Sequence, residues 1–223
     1  MKYKGAAIQY DCHFMDKEKN LADLTNLVRQ AAWQGAKLIV LPEMCATGYY
    51  FDSMEQAAEM AEPIANGQTV RLLENLAKEL DCYLVAGLPE SDGERLYNSA
   101  VLIGPEGLIG RHRKMHHYVP DSTWAKTGDE PVKVFNTPIG NIGIQICMDL
   151  SYPEGPRLSR LMGAQVLCSQ MRRLQSYQRL RWQMHLRLME QQSAFGIQWV
   201  VSMDKQLIHW FRSSTMRMSM ASQ

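Results

Sequence analysis

The sequence predicts a layered α/β domain with a mixed sheet, and three observations predict it. Lys37-Leu-Ile-Val-Leu-Pro42 is a continuous apolar run, the pattern of a strand buried on both faces. Two segments, 16–34 and 70–80, repeat apolar residues at helical spacing. Gly104-Pro-Glu-Gly107 and Thr137-Pro-Ile-Gly140 carry the proline and glycine placement of tight turns between antiparallel strands. Helices interleaved with strands and followed by hairpins call for helices covering a sheet that mixes parallel and antiparallel pairs.

In chain order, residues 3–9 suit a buried strand. Leu21, Leu24, Leu27, Val28, Ala31 and Ala32 then mark a helix that Gly35 closes in the manner of a C-terminal cap. The strand at 37–42 follows. Val70, Leu73, Leu76, Ala77 and Leu80 give a second amphipathic helix, with 83–88 as the strand after it. Residues 98–103 and 108–111 form the first hairpin, and 132–136 with 141–146 the second. Pro153 is placed to open a helix to about 162, and 164–167 is another short strand.

Composition bounds the function. Hydrophobic residues make up 46% and charged residues 21%, which supports a sizeable core in one domain. A net charge of +1 gives no overall pull toward nucleic acid or an anionic membrane, so small molecules are the expected partners. No apolar run approaches the roughly 20 residues of a membrane-spanning helix, and residues 1–12 are too polar for the core of an export signal. A cytoplasmic protein is expected. Five cysteines, Cys12, Cys45, Cys82, Cys147 and Cys168, lack a CxxC pair and are expected as reduced thiols.

After Cys168 the composition changes. Met171, Met184, Met189, Met203, Met216, Met218 and Met220 gather there, and only Glu190 and Asp204 oppose eight Arg and Lys residues. A helix over 177–194 with a solvated arginine face is the plain reading; no aromatic-interleaved motif points to nucleic acid.

Three residues stand at the ends of predicted strands. Glu43 follows the run at 38–42, where open α/β sheets place their ligands; Lys114 ends 108–113; Cys147 ends 142–146 and precedes a helix whose N–H groups favour a thiolate. Taken singly, each has a plain structural reading: a turn glutamate, a solvated lysine, a buried inert cysteine. Together, a carboxylate, a cation and a thiol at three strand ends compose a nucleophilic site.

Four ordered segments carry a resemblance: Leu41-Pro-Glu-Met-Cys-Ala-Thr-Gly-Tyr49, Tyr97-Asn-Ser-Ala-Val-Leu-Ile-Gly-Pro-Glu-Gly107, Gly110-Arg-His-Arg-Lys-Met-His116 and Thr137-Pro-Ile-Gly-Asn-Ile-Gly-Ile-Gln-Ile-Cys-Met-Asp149. In order and spacing they resemble the motifs of the nitrilase superfamily of carbon-nitrogen hydrolases. That resemblance implies an αββα sandwich, with Glu43 as general base, Lys114 as the oxyanion-stabilising lysine and Cys147 as the nucleophile, acting with no cofactor and no metal. It implies substrate contact by the Met148 N–H and gives Asp121 the place of a second, lysine-supporting glutamate. Cys147-Met-Asp149 looks like the amidase branches rather than the Cys-Trp-Glu of nitrilases, so a small amide is the expected substrate. Trp124 and Tyr49, with Tyr50, are candidate pocket-lining residues.

Residues 1–168 are expected to form the hydrolase core, and 169–223 an atypical continuation of the same domain that does not look like the family's usual closing segments; 187–190 and 199–203 can still supply a helix and a strand, but if closing strands are missing a sheet edge is left uncovered. Such a surface favours self-association, so a homo-oligomer is expected. Two rival readings stand beside the enzyme. One is a non-catalytic relative of the same fold that binds a partner through its basic, Met-rich end. The other takes His112, His116 and His117 as metal ligands if their stretch is helical.

Overall fold

The computed structural model describes residues 3–171, 198–202, 207–212 and 219–220. The chain opens with β1 (Lys4–Gln9), crosses through α1 (Lys17–Trp33) and returns as β2 (Ala36–Val40), parallel to β1. Asp16 caps α1 by accepting from the Lys19 N–H, and Gly35, at φ 90°, takes the left-handed conformation that ends it. Next come α2 (Met54–Met60), α3 (Gln68–Leu80) and β3 (Tyr83–Ser91), which is parallel to β2. The hairpin of β4 (Leu96–Gly104) and β5 (Gly107–Arg113) turns through Gly107 at φ 108°. A second sheet is begun by the hairpin of β6 (Val134–Thr137) and β7 (Gly140–Ile146); α4 (Glu154–Leu161) then leads to β8 (Val166–Gln170), parallel to β7.

Three further strands complete the sheets. β9 (Gln198–Ser202) adds parallel to β8, β10 (Leu207–Arg212) pairs antiparallel with β1, and β11 (Ser219–Met220) pairs with β10. The sheets run β11-β10-β1-β2-β3-β4-β5 and β6-β7-β8-β9. β9 falls where a strand over 199–203 is expected, and the backbone of 198–202 and 207–212 extends the two sheets. The boundary drawn at 168 falls inside β8. The helix expected over 177–194 lies outside the described residues.

Alternation along the strands shows why there are four layers. Ile39, Leu84, Ala86, Val101 and Ile103 face one way, into a core with Leu24 and Val28 of α1 and Leu73 and Leu76 of α3. Their neighbours Leu38, Val40, Val85, Ala100 and Leu102 face the other way and meet Ile142, Ile144, Ile146 and Val166 of the second sheet. α4 covers the outer face of that sheet. Its close approach depends on Gly143, whose added Cβ would lie 3.3 Å from the Ser159 Cβ of α4, and on Gly155 of α4, whose Cβ would lie 2.7 Å from Gln145 of β7. The order is α1 and α3, first sheet, second sheet, α4: an αββα sandwich.

Where the elements differ from expectation, the causes are local. α2 escapes the periodicity because Ala57 is its one buried residue, and Ser53 caps it by accepting from the Gln56 N–H. β3 continues three residues past Leu88 because Pro89, Glu90 and Ser91 pair with 96–98 of β4. β8 starts at Val166 rather than 164 because Gly163, at φ 91°, and Ala164 are still bonded to the last turn of α4. Among the described residues no helix is long and apolar enough to cross a membrane.

One close approach positions the residue after β2. Cys45 N donates to Gly87 O at 2.9 Å and Gly87 N to Pro42 O at 3.3 Å, so β3 tracks the 42–45 segment. A Cβ on Gly87 would fall 2.8 Å from the Glu43 Cα and 2.9 Å from the Met44 N, both backbone atoms with no room to yield. Gly87→Ala is therefore expected to destabilise the fold by about 1–3 kcal/mol, read as a lower urea midpoint at unchanged slope. A variant as stable as the parent would show that the 42–45 segment is free to shift.

Candidate active site

Glu43, Lys114 and Cys147 follow β2, β5 and β7, at the carboxyl ends of strands in both sheets. Glu43 and Lys114 are each 1% exposed, although they are a carboxylate and an ammonium. Burial of such ions is tolerated only with partners. Lys114 Nζ donates to Glu43 Oε1 at 2.7 Å and to Asp121 Oδ2 at 2.6 Å, with the Tyr49 hydroxyl at 3.4 Å. Asp121 sits at the start of the 3-10 turn Val119–Thr123, where Oδ2 also accepts from the Tyr118 N–H and the Tyr49 hydroxyl, both at 2.9 Å. Asp121 thus supports Lys114 from the loop that follows it. The Lys114 backbone is held as well: its N–H donates to Asn98 O, and its carbonyl accepts from Gly128 N.

Cys147 opens the 3-10 turn Cys147–Ser151 immediately after β7, with φ at 46°. A non-glycine residue in the left-handed region is strained by about 1 kcal/mol, and Met44, just after Glu43, shares the condition at φ 53°. The Cys147 conformation is fastened by Asp149, which is 1% exposed. Its Oδ2 accepts from Ile146 N at 3.1 Å and meets His112 Nε2 at 2.9 Å; its Oδ1 accepts from Met115 N at 3.1 Å and His116 N at 2.9 Å and meets His116 Nδ1 at 3.0 Å. One carboxylate therefore ties the cysteine elbow of one sheet to the residues flanking Lys114 in the other.

Electrostatics follow from this burial. Desolvation and the Glu43 carboxylate raise the Cys147 thiol well above its ordinary value, with Lys114 opposing in part. The direction runs against the expected thiolate preference, because the short turn after Cys147 does not offset burial beside two carboxylates. Glu43 is raised too, chiefly by burial, with Lys114 pulling it down and Asp121 pushing it up. Burial works against the charge of Lys114, but Glu43, Cys147 and Asp121 outweigh it and hold the lysine an ammonium. Tyr49 is raised by burial and by both carboxylates and stays a phenol donor.

The structure brings Glu43, Lys114, Asp121 and Tyr49 into one hydrogen-bonded cluster, with Cys147 close enough for its thiol to feel their charges. Met148 follows Cys147 in the first turn of the 3-10 helix, where backbone N–H groups lack helical partners. Tyr49 is not at a pocket mouth; it is 3% exposed with its ring 5.4 Å from Lys114 Nζ, whereas Tyr50 is 42% exposed. Trp124 is 1% exposed and packs edge-on against Phe51 at 5.3 Å, in the same apolar cluster as Tyr49. That is core packing beside the site.

The histidine reading is corrected. His112 lies in β5 rather than a helix, and His112 and His116 both bond Asp149, while burial lowers His117 below its ordinary value. Among the described residues no group of three or more His, Cys, Asp or Glu is arranged to hold a metal ion. Sequence reasoning missed two residues that hold the site together. Asn98, fully buried on β4, donates Nδ2 to Glu43 Oε1 at 2.8 Å and to Asp121 Oδ1 at 3.0 Å. Asp149 is the other. The signal for each was present, in the Tyr97-Asn-Ser and Cys147-Met-Asp149 motifs, but neither position stands out by residue type alone.

The Asp149 carboxyl is held well below its usual range: burial would raise it, but its bonds to His112, His116 and the Ile146 N–H prevail. A depressed carboxylate contributes stability that is full above the unfolded-state value, about 4, and fades as pH falls toward the folded-state value. Asp149→Asn is expected to lose about 3 kcal/mol at pH 7, and the gap from the parent should narrow as pH drops below about 4. Denaturant titrations at both pH values test this; a gap that does not depend on pH would remove the ionic part of the fastening.

The carbon-nitrogen hydrolase family model matches residues 4–214. A nitrilase of Pyrococcus abyssi is 38% identical over 164 residues, 74% of this chain and 63% of its own length. An omega-amidase of Danio rerio is 34% identical over 176 residues, and an N-carbamoylputrescine amidase of Solanum tuberosum 35% identical over 171, covering 74% and 73% of this chain. The chain thus spans less than two thirds of the length of these relatives, 62% and 56% for the two amidases. Among solved structures, a Saccharomyces cerevisiae member of branch 10 of the nitrilase superfamily superposes at TM-score 0.79 with 26% identity, covering 91% of this chain and 76% of that one. A Helicobacter pylori carbon-nitrogen hydrolase at TM-score 0.80 and 22% identity shares the fold, covering 92% of this chain and 74% of its own. With strand-end residues, sandwich and family match in agreement, the chain belongs to the carbon-nitrogen hydrolase family, the nitrilase superfamily.

Proposed function

We propose that this protein hydrolyses the carbon-nitrogen bond of a small, non-peptide amide through a thioester on Cys147. The observation that carries the reading is the fully buried Glu43–Lys114–Asp121 cluster, set beside a thiol on a strained strand-end turn. Glu43 takes the thiol proton as sulfur attacks the amide carbon, and the Lys114 ammonium and Met148 N–H stabilise the oxyanion. Protonated by Glu43, ammonia or an amine leaves. Glu43 then deprotonates water, which attacks the thioester, and the proton returns to sulfur as the acid departs. The cycle balances with these residues and water alone.

Amide hydrolysis is favoured over nitrile hydrolysis by Cys147-Met-Asp149 and by the omega-amidase and carbamoyl-amidase relatives. A panel of omega-amides, N-carbamoyl amines and nitriles separates the classes, and turnover of nitriles alone would reverse the preference. A cytoplasmic site of action is part of the proposal, supported by Cys12, Cys45, Cys82, Cys147 and Cys168 being thiols rather than disulfide halves.

Cys147→Ala is expected to abolish turnover of whichever amide the parent hydrolyses, and with it an acyl adduct seen on the parent by intact-protein mass spectrometry. Glu43→Gln and Lys114→Ala should each cost at least about a hundredfold in kcat, and neither should add to the loss from Cys147→Ala. Retained turnover in Cys147→Ala would sink the assignment, and additive losses would argue against one shared site. Self-association is also proposed, supported by Leu158, Leu161 and Met162, exposed on and just after α4; a monomer at every concentration in sedimentation would overturn it.

A further inference from the structure

The active-site reading just proposed names a base, a cation, a second carboxylate and a nucleophile, but gives no role to the residue that touches three of them. Asn98 lies on β4 with no exposed surface. Its carbonyl accepts from the Lys114 N–H at 2.8 Å, and its side-chain Nδ2 donates to Glu43 Oε1 at 2.8 Å and to Asp121 Oδ1 at 3.0 Å. Both amide hydrogens are therefore committed, one to each carboxylate. The orientation of the amide is fixed by those partners, because turning it over would set Oδ1 against two carboxylate oxygens.

We infer that Asn98 is the positioning residue of this site, fixing Glu43 and Asp121 on either side of Lys114 with one neutral, two-hydrogen donor. Neutrality is the chemical point. Two carboxylates and one ammonium leave a buried excess of negative charge, which has to be met by hydrogen-bond donors. A second lysine or arginine would meet it too, but would draw Glu43 far down and spoil it as a base; a serine has one hydrogen, and an aspartate would add a third negative charge. Asparagine satisfies both acids while leaving Glu43 above its ordinary value, where a thiol proton can be received. The division of oxygens agrees: Glu43 Oε1 is shared by Lys114 and Asn98, whereas Asp121 gives Oδ1 to Asn98 and reserves Oδ2 for Lys114, Tyr49 and Tyr118 N.

The charged and titratable groups around Asn98 are Glu43, Lys114, Asp121, Tyr49 and Cys147, with His117 and Asp149 within electrostatic reach of the cluster. Removing a donor to an ionised carboxylate raises that carboxyl, so the acid limb of any Glu43-dependent rate must move to higher pH. Asn98→Leu keeps the branched heavy-atom shape, though it is bulkier, and removes both hydrogens; Asn98→Ser restores one donor. Two rates are measured against pH on the full chain: alkylation of Cys147 by iodoacetamide, located by peptide mass, and turnover of the amide best hydrolysed by the parent. Expected are an acid limb about one unit higher in Asn98→Leu, with kcat down about a hundredfold and KM within about threefold, and intermediate values in Asn98→Ser. A purely structural asparagine would lower the melting temperature and leave the acid limb of the folded protein unmoved, which would overturn the inference; so would a loss in KM alone. If Asn98→Leu does not fold, the shift in Asn98→Ser decides. If the parent hydrolyses no amide, the proposed function fails, while the alkylation profile still decides the role of Asn98.

Discussion

The buried Lys114 ammonium is the interaction on which the rest of the structure depends. An unpartnered ammonium at that depth is untenable, and a single carboxylate partner would repay little of the desolvation penalty. Lys114 has two, Glu43 and Asp121, and the second creates a new demand, since each acid now needs donors of its own. Asn98, the Tyr49 hydroxyl and the Tyr118 N–H supply them. These residues come from β4, the loop after β2 and the turn after β5. The fold must deliver three strand ends and two loops to one point. Glu43 also has to reach past β3, the strand lying between β2 and β4, and Gly87 leaves the space through which its backbone passes.

The two sheets contribute unequally, Glu43 and Lys114 from one and Cys147 from the other, so the distance between base and nucleophile is set by how the sheets are fastened. Apolar packing between Leu38, Val40, Val85 and Ile142, Ile144, Ile146 sets their spacing but is non-directional. Direction comes from Asp149. Its bonds to Ile146 N on one side and to His112, Met115 N and His116 on the other fix the elbow against the lysine loop. The left-handed φ of Cys147 is stable because these contacts over-determine it.

The legible parts of the chain were those governed by local pattern. β2 showed as an apolar run, α1 and α3 as periodic stripes, and both hairpins through their turn residues. Glu43, Lys114 and Cys147 showed because strand ends are where a sheet exposes side chains, and because their motifs resemble a known superfamily. What local pattern does not carry was missed. α2 buries too little for a stripe, and Asn98 is one residue inside a strand of ordinary composition. Asp149 acts by reaching across to β5, a relation between sheets that spacing along one chain does not encode. The thiol was misjudged for a related reason: proximity to a helical turn is visible in sequence, but depth beside two carboxylates is a property of the assembled core.

A raised thiol beside a raised carboxyl looks at first like an obstacle to nucleophilic catalysis. In the proposed cycle it is the reverse. In that cycle Glu43 carries the negative charge before attack and Cys147 is neutral; when Glu43 takes the proton, Glu43 is neutral and sulfur carries the charge. The sum is unchanged. Burial penalises the anion in both states, so much of its cost cancels between them, and Lys114 acts on both Glu43 and Cys147. A thiolate standing in the resting site would instead add a third negative charge to a desolvated cluster that already has an excess. Keeping the proton on sulfur until a substrate carbon is in place thus follows from the same burial that holds Lys114, and it confines the reactive anion to the step that consumes it.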